Sequence, residues 1–221
     1  MYQHRDPSPY VHLTMKYRLV IFDFDGTLAD TFPWFSAAIN EVADRFGFRR
    51  VGPGEHDALR NLTAVEILRR LEVPLWNVPR IASHMRGLMS RDIGQIRAFN
   101  GVRPMVRELA GRGLSLGLVS SNSLANIRHI LGTDAEFFTH LQLGVSLFGK
   151  SAQLRKILRT SKVPGHEVLY IGDETRDLEA ARDAGVRFGA VAWGYTQIAA
   201  LRSRGPDEVF LSVEEISERL A

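Results

Sequence analysis

The stretch Tyr17–Phe24, YRLVIFDF, runs directly into Asp25, Gly26 and Thr27 and decides the fold. It is apolar and partly β-branched, which is typical of a buried parallel strand. Side chains alternate along a strand, so Asp23 and Asp25 project to the same side. Two carboxylates ~4 Å apart repel each other by ~4 kcal/mol at an effective dielectric of ~20. A bound Mg²⁺ would relieve this repulsion; the alternative is an Asp-rich turn closed by side-chain hydrogen bonds.

Beyond residue 98 the sequence alternates between apolar strand-like runs and helical patterns. Strands are expected at 114–120, 137–147, 167–172, 187–193 and 208–211. Helices are expected at 102–112, 123–131, 151–160, 175–184 and 213–220, with a short one from 196. Such alternation predicts an α/β fold, a doubly wound parallel sheet with helices on both faces.

An all-helical stretch separates the first strand from this series. Apolar residues recur at helical spacing over 33–47, 58–71 and 78–96. The sequence therefore predicts an α/β core domain built from 15–30 and 98–221. An α-helical insertion, 31–97, interrupts the core and is called the helical segment below, and 1–14 is expected to be a polar tail.

Composition restricts the class of protein. The chain has 221 residues, 45% hydrophobic and 24% charged, which is average for a globular protein. It has no cysteine, which excludes disulfides and thiol chemistry. The net charge of +3 is dispersed, so we expect no nucleic-acid partner. The apolar runs fall short of the ~20 residues that span a membrane, and the N-terminus lacks an apolar signal core, so we expect no membrane association and a cytoplasmic location.

Polar residues follow several of the predicted strands. Ligands of open α/β sheets bind at the carboxyl ends of the strands. Ser120, Ser121 and Asn122 lead into a helix and suit an anion, although an ordinary serine N-cap has the same pattern. Lys150 precedes another helix and suits a phosphate, or is a solvated surface lysine.

The last of these strand ends carries two further acids. Asp173 follows the strand 167–172 and would complete an oxygen site for Mg²⁺. Asp177 lies one helical turn further along. The alternative is that both acids simply favour the N-terminus of a helix.

Together these residues resemble the haloacid dehalogenase (HAD) superfamily, in particular phosphatases of the phosphoglycolate phosphatase type with a helical, C1-type cap. The resemblance covers about 15–215. It rests on Asp23-Phe24-Asp25-Gly26-Thr27-Leu28, Ser120, Lys150, Gly172-Asp173 with Asp177, Gly185 and the stretch VAWG at 191–194. The chain departs from many relatives at Ser151, where they have proline after the lysine.

The resemblance implies a Mg²⁺-dependent phosphomonoester hydrolase. Asp23 would be the nucleophile that forms an aspartyl-phosphate, and Asp25 the general acid and base. Asp23, the backbone carbonyl of Asp25, and Asp173 would hold Mg²⁺. Ser120 and Lys150 would bind phosphoryl oxygens. Asp177 would not bind the metal itself but would orient the side chains that do and those that bind the phosphate.

The substrate is expected to be a small phosphorylated metabolite. Residues expected to contact it are Phe24, Thr27, Ser121, Asn122 and, from the helical segment, Arg60. Asp25 argues against a dehalogenase, and the segment has neither the lysine of phosphonoacetaldehyde hydrolase nor an early histidine of the mutase type. A phosphoryltransferase or mutase, or a non-catalytic HAD-like binding module, stays open as an alternative. We expect a monomer or a small homo-oligomer.

Overall fold

The structure is a computed structural model that describes residues 16–146 and 149–220. The expected tail, 1–14, lies outside the described residues, as do Leu147 and Phe148 just before Lys150.

The described residues form one six-stranded parallel sheet in the order β3-β2-β1-β4-β5-β6. The strands are β1 Leu19–Phe22, β2 Ser115–Val119, β3 Phe138–Gln142, β4 Val168–Gly172, β5 Arg187–Val191 and β6 Glu208–Phe210. The predicted doubly wound sheet is confirmed. The third strand is shorter than the predicted run 137–147 and ends at Gln142.

Helices connect these strands. They are α1 Phe32–Phe46, α2 Glu55–Leu59, α3 Ala64–Arg70, α4 Val78–Arg91, α5 Val102–Gly111, α6 Leu124–Leu131, α7 Lys150–Ser161, α8 Thr175–Ala184, α9 Ile198–Arg202 and α10 Glu214–Leu220. Helices α1 to α4 lie in the helical segment, between β1 and the rest of the sheet.

The sequence of the central strand β1 is continuously apolar because both faces of this strand are buried. Val20 and Phe22 pack into the core on one face of the sheet. Leu19 and Ile21 pack into the core on the other face. All four side chains are fully buried, as expected for a parallel strand covered by helices on both sides.

The helical segment has a hydrophobic cluster of its own, formed by residues that include Ile39, Val42, Leu59, Leu71 and Leu88. Burial of these side chains against one another stabilises α1 to α4 as a packed unit.

Two predicted helices of the segment differ from the structure. The expected helix 58–71 is two helices, α2 and α3. The break comes at Thr63, which caps α3: its hydroxyl accepts from the N–H of Glu66, whose carboxylate accepts from the Thr63 N–H. This capping box makes a new helix start more favourable than continuation. The expected helix 78–96 ends at Arg91 and is followed by a 3₁₀ turn, Ile93–Gln95.

Candidate active site

The topology brings three of the predicted strand ends together. Strand β1 lies between β2 and β4, with Phe22 in register with Leu118 on one side and Ile171 on the other. The chain winds outward in both directions from β1, so this is the switch point at which open α/β sheets bind ligands. Asp23, Ser120 and Asp173 each follow one of these strands and therefore meet at one edge of the sheet.

Three aspartates form the centre of this site. Oxygens of Asp23, Asp173 and Asp177 lie within 4.8 Å of one another, and all three residues are buried. Lys150, the first residue of α7, is buried beside them. Its Nζ lies 2.6 Å from Oδ2 of Asp23 and 2.5 Å from Oδ1 of Asp177. The lysine therefore fixes the orientation of Asp23 and joins it to Asp177.

Asp173 is held by two donors from other parts of the chain. The Thr27 hydroxyl donates to its Oδ1 at 2.8 Å, and the Tyr195 N–H donates to its Oδ2 at 2.7 Å. The backbone on both sides must come close: a Cβ at Gly26 or Gly194 would overlap the Asp173 side chain. Gly26 also has φ +78°, which glycine adopts without strain.

Asp177 is satisfied by the protein itself. Its Oδ1 accepts from Lys150 and, at 3.1 Å, from the buried Tyr170 hydroxyl. Its Oδ2 accepts from the N–H of Glu174 at 3.1 Å. Both oxygens of Asp177 are therefore engaged, one of them by Lys150. The expected role of Asp177 in orienting the site stays a prediction.

Asp25 is less buried than the other three aspartates of the site. The Asn122 amide donates to both of its oxygens, at 3.0 and 3.3 Å. Asn122 is itself held by Asn126, whose amide donates to Asn122 Oδ1 at 2.7 Å and to the Ser90 hydroxyl of α4 at 3.1 Å. The expected substrate contact by Asn122 stays a prediction, while the structure shows it orienting Asp25.

Burial and charge shift the ionisation of the carboxyl groups. Burial raises the pKa of Asp23 to about 7, against the opposing effect of Lys150. Burial raises the pKa of Asp25 to about 6, against Lys150 and the Asn122 hydrogen bond. Burial and the nearby charges of Glu174 and Asp23 raise the pKa of Asp173 well above its usual range. Asp177 differs, because Lys150 and Arg176 overcome its burial and lower its pKa.

The remaining predicted site residues take different positions. Ser120 is buried, and its hydroxyl accepts from the N–H of Asn122 at 2.9 Å. Ser121 is partly exposed beside it. The Phe24 ring is fully buried in the core, which leaves only the backbone of this residue for a ligand. The Thr27 hydroxyl is engaged by Asp173 rather than directed to solvent.

Arg60 lies at the end of α2 and is directed to the loop after β5. Its Nε donates to the Tyr195 carbonyl at 3.0 Å and its Nη2 to the Gly194 carbonyl at 2.9 Å. A bidentate contact with a substrate anion would require giving up these bonds. Contact between Arg60 and substrate stays a prediction.

The chain is similar to known proteins along most of its length. Residues 20–191 match the family described as haloacid dehalogenase-like hydrolases. The chain belongs to that family. It is 33% identical to the phosphoglycolate phosphatase of Synechococcus elongatus over 190 residues, which are 85% of this chain and 90% of that relative.

Solved structures agree with this assignment. A predicted phosphatase from Clostridium acetobutylicum has a TM-score of 0.75 at 17% identity, over 91% of this chain and 97% of that one, and so shares the fold. CbbY from Rhodobacter sphaeroides, solved in complex with phosphate, has a TM-score of 0.65 at 25% identity, over 90% of this chain and 96% of that one. The comparisons give the activity of this HAD-family chain as that of a phosphatase.

The carboxylate cluster of this HAD-family chain fits a hard divalent cation. Mg²⁺ prefers oxygen ligands and is commonly bound through one or two carboxylates. Asp23 and Asp173 offer such oxygens in a buried setting, where burial disfavours the charged form of both carboxyl groups and raises their pKa values. The residues present therefore match the ion that the family resemblance implies.

Several residues of the site were missed by the sequence reasoning. They are Tyr170, Asn126 and Tyr195. Tyr195 directly follows Gly194, the last residue of the stretch VAWG that carries part of the HAD resemblance, and its place after a predicted strand is the signal that could have found it. Within the described part of the chain, no helix is long and apolar enough to cross a membrane.

Proposed function

We propose that the chain is a Mg²⁺-dependent phosphomonoester hydrolase that acts through an aspartyl-phosphate on Asp23, with phosphoglycolate as the first candidate substrate. The observation that carries the proposal is the buried Asp23 carboxylate, fixed by Lys150 at 2.6 Å beside Asp173 at the switch point of the sheet. Fold alone does not give function, and the residues of this site supply the chemistry that a phosphatase needs.

Asp23 is the nucleophile in this proposal. One of its oxygens attacks phosphorus, a new O–P bond forms, and the bond between phosphorus and the leaving alcohol breaks. A carboxylate nucleophile divides the reaction into two easier transfers. Lys150 supports the attack because its ammonium holds the carboxylate in one orientation and faces the phosphoryl oxygens with positive charge.

Asp25 is the general acid and base. Its protonated form gives a proton to the oxygen of the leaving alcohol, and the resulting carboxylate then takes a proton from the water that attacks phosphorus. The bond between phosphorus and Asp23 breaks in this second step, which releases inorganic phosphate and restores the free carboxylate. A pKa of about 6 suits both roles near neutral pH. The Asn122 amide keeps the carboxyl group directed at the site.

Asp23, Asp173 and the backbone carbonyl of Asp25 would hold the metal ion. When bound, Mg²⁺ offsets the negative charge of the carboxylates and of the phosphoryl group, which otherwise repel each other. Thr27 and Tyr195 keep Asp173 oriented for this task.

We infer that the helical segment, 31–97, is a cap over the core formed by 15–30 and 98–221. Helix α4 reaches the site through Met89, whose sulfur accepts from the Asn122 amide at 3.0 Å, and through Ser90, which contacts Asn126. Arg60 reaches the opposite side of the site. A cap that touches both sides would exclude water while the leaving group is held.

Relatives support the choice of substrate class. The Synechococcus elongatus relative is named phosphoglycolate phosphatase, and CbbY was solved with phosphate and, as a variant, with xylulose 1,5-bisphosphate. The name of the first relative and the bisphosphate bound to the second both point to small phosphorylated metabolites. We therefore expect the chain to act on an ester of this size.

The test is phosphate release from phosphoglycolate, sugar phosphates, nucleoside monophosphates and p-nitrophenyl phosphate, with Mg²⁺ and then with EDTA. We expect turnover that needs Mg²⁺, is lost in Asp23→Asn and is kept in Asp183→Asn, which changes an exposed aspartate of α8 in the same way. Reduction of the working enzyme with borohydride should convert residue 23 to homoserine. Equal activity of Asp23→Asn would refute the mechanism.

The same assay separates the alternatives. Transfer of the phosphoryl group to an added alcohol in preference to water would identify a phosphoryltransferase or mutase. Folded protein without turnover on the panel would indicate a binding module. Cytoplasmic location and a monomeric or small homo-oligomeric state stay predictions, to be checked by cell fractionation and light scattering.

A further inference from the structure

We propose that Arg60 is a positioning residue that couples closure of the helical segment to the orientation of Asp173, through the loop after β5. This loop, residues 192–197, is called the β5 loop. The inference rests on the proposed function, because it gives Asp173 the role of a metal ligand.

The helical segment holds the β5 loop through reciprocal bonds. Arg60 donates to the carbonyls of Gly194 and Tyr195, and its own carbonyl accepts from the N–H of Gln197 at 3.0 Å. The Gln197 side chain donates to the Asp57 carbonyl at 3.3 Å. Two stretches far apart in sequence are therefore joined in both directions.

Aromatic packing sets the position of the guanidinium. It lies 5.0 Å from the centre of the Phe32 ring, at the start of α1. The Tyr195 ring packs edge-on against Phe32 and Phe35, and its hydroxyl donates to Thr31 at 3.0 Å. Thr31 is the first residue of the segment, so the β5 loop contacts the segment where it leaves the core.

The opposite side of the β5 loop holds Asp173. The Tyr195 N–H donates to the Asp173 carboxylate at 2.7 Å, and the Thr196 N–H donates to the Asp173 carbonyl at 3.2 Å. Gly194 abuts the same side chain so closely that a Cβ would overlap it. A shift of the β5 loop therefore cannot leave Asp173 in place.

The coupling between the helical segment and Asp173 follows from the groups that Arg60 binds. Its acceptors are backbone carbonyls of the β5 loop, and the same Tyr195 that accepts through its carbonyl donates to Asp173 through its N–H. Asp57 lies 3.7 Å from Nη1, but this carboxylate is mostly exposed and adds little. When the segment lifts, Arg60 leaves both carbonyls and the β5 loop loses its clamp.

The test measures metal binding without substrate. Mn²⁺, followed by electron paramagnetic resonance, is titrated into the wild-type chain, Arg60→Ala, Arg60→Lys and Arg69→Ala, the last an exposed arginine of α3. Loss of a residue that supports a ligand from outside the coordination shell weakens metal binding by about 10–100-fold. Arg60 lies one hydrogen bond further from the metal than such a residue. We therefore expect Mn²⁺ affinity to fall about 5-fold in Arg60→Ala and less in Arg60→Lys.

Two further controls separate coupling from other roles. Ser90→Ala breaks a contact between the segment and the core that does not involve the β5 loop, and it should weaken Mn²⁺ binding less than Arg60→Ala does. Arg60→Ala should lower kcat/KM equally for phosphoglycolate and p-nitrophenyl phosphate at limiting Mg²⁺. A rise in KM for phosphoglycolate alone, with Mn²⁺ affinity unchanged, would make Arg60 a substrate contact and overturn the proposal. Wild-type protein that binds no Mn²⁺ would instead overturn the proposed function.

Discussion

Removal of the Lys150 charge tests how the buried site is balanced. The Lys150→Met variant has a side chain of similar length without the ammonium. Asp23 and Asp177 stay buried but lose the cation that lies 2.6 and 2.5 Å from their oxygens. Removal of one partner from a buried ion pair leaves the other charge without compensation, which costs about 3–5 kcal/mol. We therefore expect a large loss of stability at neutral pH.

The pH dependence of this loss follows from Asp177. In the wild-type chain its pKa is lowered, so its stabilising effect is present above the unfolded pKa of about 3.9 and is lost as pH falls through the folded value. Without Lys150, burial raises that pKa, and the ionised group penalises the folded state. The penalty is absent below about pH 3.9 and grows by about 1.4 kcal/mol per pH unit up to the new folded value.

At about 1.4 kcal/mol per pH unit, Asp177 alone costs Lys150→Met up to about 1.5 kcal/mol at pH 5 and a larger amount at pH 7. The total loss at neutral pH should lie in the range of about 3–5 kcal/mol for a broken buried pair. Urea unfolding followed by circular dichroism, in EDTA at pH 5, 6 and 7, measures the free energy of unfolding of the wild type and of Lys150→Met. The difference between wild type and variant should widen with pH over this interval, by up to about 1.4 kcal/mol per pH unit.

Lys156→Met is the matched control. Lys156 lies on the same helix but is exposed, and surface changes of this kind stay within about 0.5 kcal/mol. A loss in Lys150→Met that is equally large at pH 5 and pH 7 would mean that packing, not charge, holds the lysine. A loss below about 1 kcal/mol at pH 7 would show that the Lys150 charge does not stabilise the buried aspartates.

Three other changes probe the same site. Asp25→Asn should slow hydrolysis of phosphoglycolate much more than that of p-nitrophenyl phosphate, because the phenolate leaves without a proton; equal kcat ratios would remove Asp25 as the acid. Gly194→Ala places a methyl group on Asp173, so it should cost about 1–3 kcal/mol in urea unfolding and also weaken Mn²⁺ binding. Mg²⁺ at 100 times its Kd should add about 2.7 kcal/mol and raise Tm by about 5–10 °C; calorimetry should find this gain absent in Asp173→Asn.

The sheet and the carboxylates were predictable because local patterns specify them. β1 is apolar at every position since both of its faces are buried. Asp23, Asp173 and Ser120 follow strands that the sequence marks clearly, and parallel pairing then forces their ends together. The prediction needed no knowledge of distances.

The supporting contacts were not predictable in the same way. Asn126 reads as an ordinary polar residue of α6, and only the fold shows that its amide holds Asn122. The acceptors of Arg60 are backbone carbonyls, which leave no trace in side-chain patterns. The break between α2 and α3 carried a local signal, because the capping box of Thr63 and Glu66 lies within the run taken as one helix.

The formal charges of the site residues determine how strongly the site would repel or accept a phosphate ester. Arg176 pairs with Glu174, and this pair is neutral overall. The remaining charged groups are Lys150 and four aspartates, Asp23, Asp25, Asp173 and Asp177. When all five are ionised, their charges sum to −3, which would repel a dianionic phosphoryl group. A divalent cation would reduce this to one negative charge, and protonation of Asp25 would remove that one. In the proposed mechanism, the state that accepts the phosphate ester without repulsion is therefore also the state in which Asp25 carries the proton for the leaving alcohol.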